Sequence, residues 1–195
     1  MIKFIPNIIT VFRILLVPFF IYFLMNDFIN SKLYAAMIFG IASISDMLDG
    51  KIARKYGIVT RFGTFMDPLA DKILIVSAFL AFVILGYIPL WMLLVIVFRD
   101  VIITLLRMLM EHNGITMVTS NIGKLKTVGQ ILSINLILFY MITVSYDINE
   151  IVNLFDEFSI IYFFMIITTI FTLITGIDYF YKNHKSIKMI ILKRE

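Results

Sequence analysis

The chain has 195 residues, 61% of them hydrophobic and 15% aromatic, with a mean hydropathy of +1.00. That is far outside the range of soluble domains and implies an all-α, polytopic membrane protein. Without cysteine there is no disulfide framework or thiolate metal site, and two histidines, His112 and His184, are too few for a histidine-rich one. The net charge of +4 is not laid out as a basic stripe with interleaved aromatics, so no nucleic-acid partner is expected. With no low-complexity segment and no internal repeat, residues 1–195 are expected to form a single integral membrane domain.

The amino terminus reads Met1-Ile-Lys3-Phe-Ile-Pro6-Asn7-Ile-Ile-Thr10-Val-Phe-Arg13, then runs apolar to Met25. No small-residue cleavage site follows, so this is a retained first span and not a signal peptide. Asn7, Thr10 and Arg13 recur every third residue on one side of a helix. They form either an interfacial anchor or a polar face turned into a cavity.

After a turn over 26–31, a second helix begins near Lys32 and reaches Ser45. Its apolar part of about 13 residues is short of the roughly 20 a bilayer needs. The helix must therefore continue through Asp46-Met-Leu-Asp49-Gly50-Lys-Ile-Ala53-Arg54. This puts Asp46 and Asp49 near the inner boundary, where buried acids are costly and usually functional. The third span, about 63–85, opens Gly63-Thr-Phe-Met-Asp67-Pro68-Leu-Ala-Asp71, with the proline in its first turns. Lys51, Arg54, Lys55, Arg61 and Lys72 make the linker between these helices the most basic internal region. Arg61 is either a phosphate ligand or a headgroup contact.

Asp46 and Asp49 share one helical face, and Asp67 and Asp71 share another. Two carboxylate pairs at low dielectric repel unless a cation lies between them. Hard oxygen donors favour one or two Mg²⁺, Mn²⁺ or Ca²⁺ ions. At about 100° per residue from Asp46, Ala53 falls near 340°, Gly50 near 40° and Arg54 near 80°. The acidic face thus carries two small residues that admit a bulky ligand and, at its edge, a guanidinium that can fork onto phosphate. Gly63 opens a similar gap one turn before Asp67. Metal, small residues and arginine together suggest a nucleoside diphosphate site.

Gly86-Tyr-Ile-Pro89 is a tight turn. The fourth span, about 89–110, carries Arg99-Asp100 near its middle and Arg107 near its end. A mid-span arginine must face protein or water. Arg99 either pairs with an acid on another helix or lines an anion pocket. Residues 111–121 are polar. The fifth span opens with Gly123-Lys124-Leu-Lys126-Thr127-Val-Gly-Gln130 and runs to about 146. Lysines at a helix start oppose the macrodipole, so an anion should compensate them. Asp147, Glu150, Asp156 and Glu157 mark an acidic loop, followed by a sixth span over about 158–180. Asp178 and Lys182 are placed to pair at i, i+4. The tail, about 182–195, holds Lys182, Lys185, Lys188, Lys193 and Arg194 between isoleucines, as expected of a basic interfacial helix on an anionic leaflet.

Basic residues gather in the amino terminus, the 51–72 linker, the 111–124 loop and the tail, whereas the turns near 26–32, 86–89 and 147–157 hold only Lys32. The positive-inside rule then gives six spans with both termini and the aspartate site cytoplasmic, in the cell (plasma) membrane.

The pattern D-x2-D-G-x2-A-R-x8-G-x3-D-x3-D, complete from Asp46 to Asp71, resembles the signature of the CDP-alcohol phosphatidyltransferases. The resemblance implies a six-helix membrane fold, a homodimer, and transfer of a phosphatidyl group from CDP-diacylglycerol to an alcohol with release of CMP. It implies two divalent cations, Mg²⁺ or Mn²⁺, held by Asp46, Asp49, Asp67 and Asp71, with Asp71 as general base. Gly50, Ala53, Arg54 and Gly63, with Asn7 and Thr10, would shape the CDP-diacylglycerol pocket. The opening Pro-Asn-x-x-Thr-x-x-Arg, the Arg99…Arg107 pair and Gly-Lys-x-Lys-Thr-x-x-Gln are similar to the branch whose acceptor is sn-glycerol 3-phosphate. Its product is phosphatidylglycerol phosphate. On that basis Arg99, Arg107, Lys124, Lys126 and Arg61 are expected around the acceptor phosphate. Alternatives keep the chemistry with inositol phosphate, serine or phosphatidylglycerol as acceptor. Others are a membrane prenyltransferase, which would lack the D-G-x2-A-R run, or a divalent-cation transporter, which would need acids at several depths.

Overall fold

The computed structural model describes residues 5–56, 61–113 and 121–192. For residues 5–8, 46–56, 61–69, 71, 111, 112, 121, 122, 124, 185 and 189–192 the backbone alone is described. Among the described residues there are seven helices: α1 (Ile5–Met25), α2 (Ser31–Tyr56), α3 (Arg61–Ile84), α4 (Leu90–His112), α5 (Asn121–Ser145), α6 (Asn149–Glu157) and α7 (Ile160–Leu192). As the short apolar run of the second helix required, α2 continues unbroken through the aspartate segment for 26 residues. The α3–α4 turn holds Gly86 at φ +80, a conformation that favours glycine, and Pro89 stands immediately before α4.

Two segments differ from expectation. The acidic loop over 147–157 contains α6, because Ile151, Val152, Leu154 and Phe155 fall at helical spacing within it. Phe155 is buried, with its ring 5.4 Å from that of Tyr140 and 6.2 Å from that of Phe139. Asp147 and Ser159, both with positive φ, reverse the chain at either end. Nor is there a separate tail helix up to residue 192. Nothing between Phe180 and Lys182 breaks a helix, so α7 runs on for 33 residues. That is about 50 Å against a hydrocarbon thickness of about 30 Å, so its basic end outruns the bilayer. Lys182 pairs with Asp178 at 2.8 Å, the i, i+4 contact read from the sequence.

The chain forms two compact units. The first comprises Met1–Tyr87 and Ile134–Ser159. In it α1 packs against α2 and α3, and its buried stripe is Thr10, Arg13, Val17, Phe20 and Leu24, one face at 3–4 residue spacing. Opposite stand Ala35, Phe39 and Ala42 of α2 and Ala70, Leu74 and Ala78 of α3. Small residues let membrane helices approach closely, and Phe20 meets Phe39 at 5.7 Å between centroids. Lys32 closes the α1–α2 turn, its Nζ donating to the Leu24 carbonyl at 2.8 Å, the Asn26 carbonyl at 2.7 Å and Asp27 Oδ1 at 3.0 Å. Nearby, Tyr146 donates to Asn30 and Tyr140 to Asp156, and Tyr87 packs edge-on to Tyr140. Such amphipathic rings suit a membrane–water boundary.

The second unit comprises Ile88–Ser133 and Ile160–Glu195. Here α4 packs on α7. The buried face of α7 is polar along most of its length: Thr168, Thr169, Thr172, Thr175, Tyr179 and Asn183. The hydroxyls of Thr169, Thr172 and Thr175 bond carbonyls of α7 itself, at 2.7 to 2.8 Å. Self-bonding of this kind makes threonine inexpensive inside an apolar helix.

By length and composition, Leu125–Ser145 and Ile160–His184 can each cross a membrane, and Ile9–Met25, Ser31–Ser45 and Lys72–Ile84 are shorter apolar helices.

Candidate active site

The backbone alone gathers the acidic motif. α1 and α2 are joined by the turn over 26–30. Thr10 lies fifteen residues before the end of α1 and Asp46 fifteen after the start of α2; for Asn7 and Asp49 the count is eighteen on each side. At a rise of 1.5 Å per residue, Thr10 and Asp46 both stand about 22 Å from the turn. α2 and α3 flank residues 57–60. Asp49 and Asp67 lie seven and six residues from that connection, and Asp46 and Asp71 lie ten each, or about 10 and 15 Å. Asn7, Thr10 and the four aspartates therefore occupy one end of the first unit. Gly50, Ala53 and Arg54 follow on α2, and Arg61 and Gly63 open α3.

Thr10 and Arg13 are wholly buried on the α1 stripe that meets α2 and α3. A charged residue inside a membrane helix costs about 3 kcal/mol on insertion scales, so an arginine on this face is there for a polar environment. The donor set of the motif is four carboxylates, each helix presenting two on one face. Hard, anionic oxygen ligands of this kind fit Mg²⁺ or Mn²⁺. Among the described side chains no group of three metal-binding residues occurs elsewhere.

A second cluster lies in the other unit. Lys126 of α5 donates to Asp100 Oδ1 at 2.7 Å and Oδ2 at 2.6 Å. Arg99 Nη1 donates to Asp100 Oδ1 at 3.1 Å, and its Nη2 to Thr175 Oγ1 of α7, also at 3.1 Å. All three charged side chains are 9–13% exposed. Gly176 faces the stem of Arg99; a Cβ there would stand 3.1 Å from Arg99 Cγ. The acid that Arg99 meets is thus its own neighbour, shared with a lysine of the next helix. The anion expected to compensate Lys126 is Asp100.

Of the basic residues assigned to an acceptor phosphate, Arg99 and Lys126 come together. Arg107 is exposed on α4, turned about 80° from Arg99. Lys124 and Arg61 lie at the starts of α5 and α3, where the backbone alone is described. Asp100, Thr175 and Gly176 were not singled out by pattern. An acid beside a mid-span arginine is a signal for the first, whereas nothing local marks the other two.

Two carboxylate pairs on helices flanking one short connection are a donor set suited to a metal-dependent enzyme of phosphate chemistry. A family model for CDP-alcohol phosphatidyltransferase matches residues 3–177, and the chain belongs to that family. Its similarity extends to named relatives. It is 33% identical to the CDP-diacylglycerol–glycerol-3-phosphate 3-phosphatidyltransferase of Bacillus subtilis, over 94% of this chain and 96% of that one. It is 38% identical to the enzyme of the same name from Salmonella typhimurium, over 67% of this chain and 74% of that one. With a probable phosphatidylglycerophosphate synthase of Mycobacterium tuberculosis it shares 38% identity, over 67% of this chain and 63% of that one.

Proposed function

We propose that the chain transfers the phosphatidyl group of CDP-diacylglycerol to sn-glycerol 3-phosphate, giving phosphatidylglycerol phosphate and CMP. The observation that carries this is the complete eight-position motif on two helices flanking one connection, its carboxylates at matched distances from that connection. The names of the similar enzymes support glycerol 3-phosphate as the acceptor.

Asp46, Asp49, Asp67 and Asp71 are the residues to hold two divalent cations, Mg²⁺ or Mn²⁺. When bound, such ions neutralise the charge of a diphosphate and of its leaving group. Gly50, Ala53 and Gly63 leave room for the cytidine nucleotide, and Arg54, Asn7 and Thr10 bond its polar groups. Arg99 and Lys126, with Arg61, Arg107 and Lys124, hold the acceptor phosphate. Asp71 accepts the proton of the primary hydroxyl as its oxygen attacks the phosphorus that carries diacylglycerol. The bond from that phosphorus to the bridging oxygen breaks, and CMP leaves with the electron pair. The protein works as a homodimer with six spans in the plasma membrane, termini and site cytoplasmic. Consistent with this, Lys32, the one basic residue of the opposite turns, is occupied by Asp27 and two carbonyls.

Purified protein with CDP-diacylglycerol and Mg²⁺ is offered glycerol 3-phosphate, serine, inositol, inositol phosphate and phosphatidylglycerol, and CMP release is followed. Release with glycerol 3-phosphate alone is expected. Release with another acceptor keeps the transferase and refutes the acceptor. No release with any of them refutes the transferase itself. Asp71→Asn should bind CDP-diacylglycerol yet hardly turn over, and normal turnover refutes the base assignment.

A further inference from the structure

Gln130 lies on α5 one turn beyond Lys126, and its side chain is wholly buried. Among the described residues, neither the nitrogen nor the oxygen of its amide has a hydrogen-bond partner. A buried amide with nothing to bond carries a desolvation cost that a leucine of similar volume would not. Helical side chains lean back over the residue four positions earlier, which here is Lys126. Lys126 holds both oxygens of Asp100, and Asp100 holds Arg99, whose Nε is likewise buried without a partner. One short stretch of α5 thus carries a neutral group with a donor end and an acceptor end one turn from a cation that shares Asp100 with Arg99.

The chemistry of these groups divides. Guanidinium and ammonium match a phosphate. A primary amide matches a hydroxyl, which gives one hydrogen bond and takes one. Residues at i and i+4 are neighbours on one helix face, about 5–6 Å apart at Cβ, so two groups of one small ligand can meet both side chains. We infer that Gln130 binds the hydroxyl of the acceptor that does not react, and so determines specificity for a polyol phosphate. This rests on the assignment of Arg99 and Lys126 to the acceptor phosphate. Because the amide is enclosed, the hydroxyl is met by rotation of a side chain with three free torsions and not at an open pocket. A site built to bond a substrate hydroxyl rejects analogues lacking it far more strongly than an apolar pocket rejects a missing methylene.

The test compares glycerol 3-phosphate with 3-hydroxypropyl phosphate, which keeps the phosphate and a primary hydroxyl but lacks the secondary one. CMP release is measured for wild type, Gln130→Leu and Gln130→Met. Wild type should prefer glycerol 3-phosphate by about 100-fold or more in kcat/KM. Both variants should lose most of that preference by losing kcat/KM for glycerol 3-phosphate, with the analogue within about threefold of wild type, at an unchanged or raised thermal midpoint. Equal loss with both acceptors, or a preference retained in both variants, overturns the inference while leaving glycerol 3-phosphate as acceptor. Wild type that releases CMP with neither acceptor overturns the acceptor assignment and this inference together.

Discussion

Asp100→Asn removes a carboxylate shared by a buried lysine and a largely enclosed arginine. Lys126 Nζ and Arg99 Nη1 bond the same oxygen, Asp100 Oδ1, at 2.7 and 3.1 Å. The two cations are therefore no more than about 6 Å apart, and at an effective dielectric near 20 their repulsion is about 3 kcal/mol. Wild type offsets that repulsion with two attractions to Asp100; the asparagine keeps the shape and loses the charge. Breaking a buried pair from one side typically costs about 3–5 kcal/mol, and the repulsion alone accounts for the lower end of that range. The assay is thermal unfolding of the purified protein, in detergent, at low and at raised inorganic phosphate. Asp100→Asn should unfold at a clearly lower temperature and recover more than wild type does when phosphate is added, because an anion can take the place of the lost carboxylate. Adding Lys126→Met should restore much of the loss, since one cation then remains. A variant as stable as wild type refutes the electrostatic account, and so does one that phosphate rescues no better.

Three further outcomes are expected. Gly176→Ala brings a Cβ to 3.1 Å from Arg99 Cγ and 3.6 Å from its Nε. The arginine stem at Cγ must give by a few tenths of an ångström, and a guanidinium carried with it should raise KM for glycerol 3-phosphate about 3- to 10-fold with kcat and the KM for CDP-diacylglycerol little changed. Equal acceptor KM in variant and wild type argues that Arg99 does not hold that phosphate. Lys32→Met strips the Leu24 carbonyl of its lysine donor and leaves the Asn26 carbonyl to Ser31 Oγ; it should cost about 1–3 kcal/mol of stability, read by thermal unfolding, with substrate KM values unmoved. The Tyr87 phenol, in the turn after α3, is pushed above its ordinary value of 10.0 by burial first and then by the Asp27 and Asp156 carboxylates. A raised folded-state value means its contribution to stability is whole below pH 10 and is lost as pH climbs through the folded value. Tyr87→Phe should flatten the alkaline limb of an unfolding-versus-pH curve.

What could be read in advance followed from local constraints. A helix with too few apolar residues to cross a bilayer had to run on through Asp46 and Asp49, and α2 does. Gly86 and Pro89 fix a turn by backbone rules that need no tertiary information. The i, i+4 pair of Asp178 and Lys182 lies within one helix. What escaped depends on separation along the chain. The Lys126–Asp100 contact spans 26 residues and the Arg99–Thr175 contact spans 76, and no periodicity reports which helices meet. α6 escaped for a different reason. Its three acidic residues, Glu150, Asp156 and Glu157, flank and mask the amphipathic spacing of Ile151, Val152, Leu154 and Phe155.

Polarity by itself marks no site in these helices. α7 buries a row of threonines, of which Thr169 and Thr172 bond carbonyls of their own helix and ask little of their neighbours, whereas Thr168 pairs with Ser133 and Thr175 accepts from Arg99. Charge is different, because an arginine, lysine or aspartate cannot be satisfied by its own helix backbone and must be met from another element or by a ligand. α1 draws the contrast within one stripe. Its buried face carries Thr10 and Arg13 at the level of the α2 aspartates and Val17, Phe20 and Leu24 beyond it. The helix turns apolar where the acidic motif ends. By the same criterion Arg99, Asp100 and Lys126, no more than 13% exposed at their side chains, mark a place with a task, whereas Thr169 and Thr172 do not. Substituting these threonines with valine should therefore leave turnover near wild type, whereas substituting the three charged residues should not. An equal loss of turnover in both sets would refute the distinction.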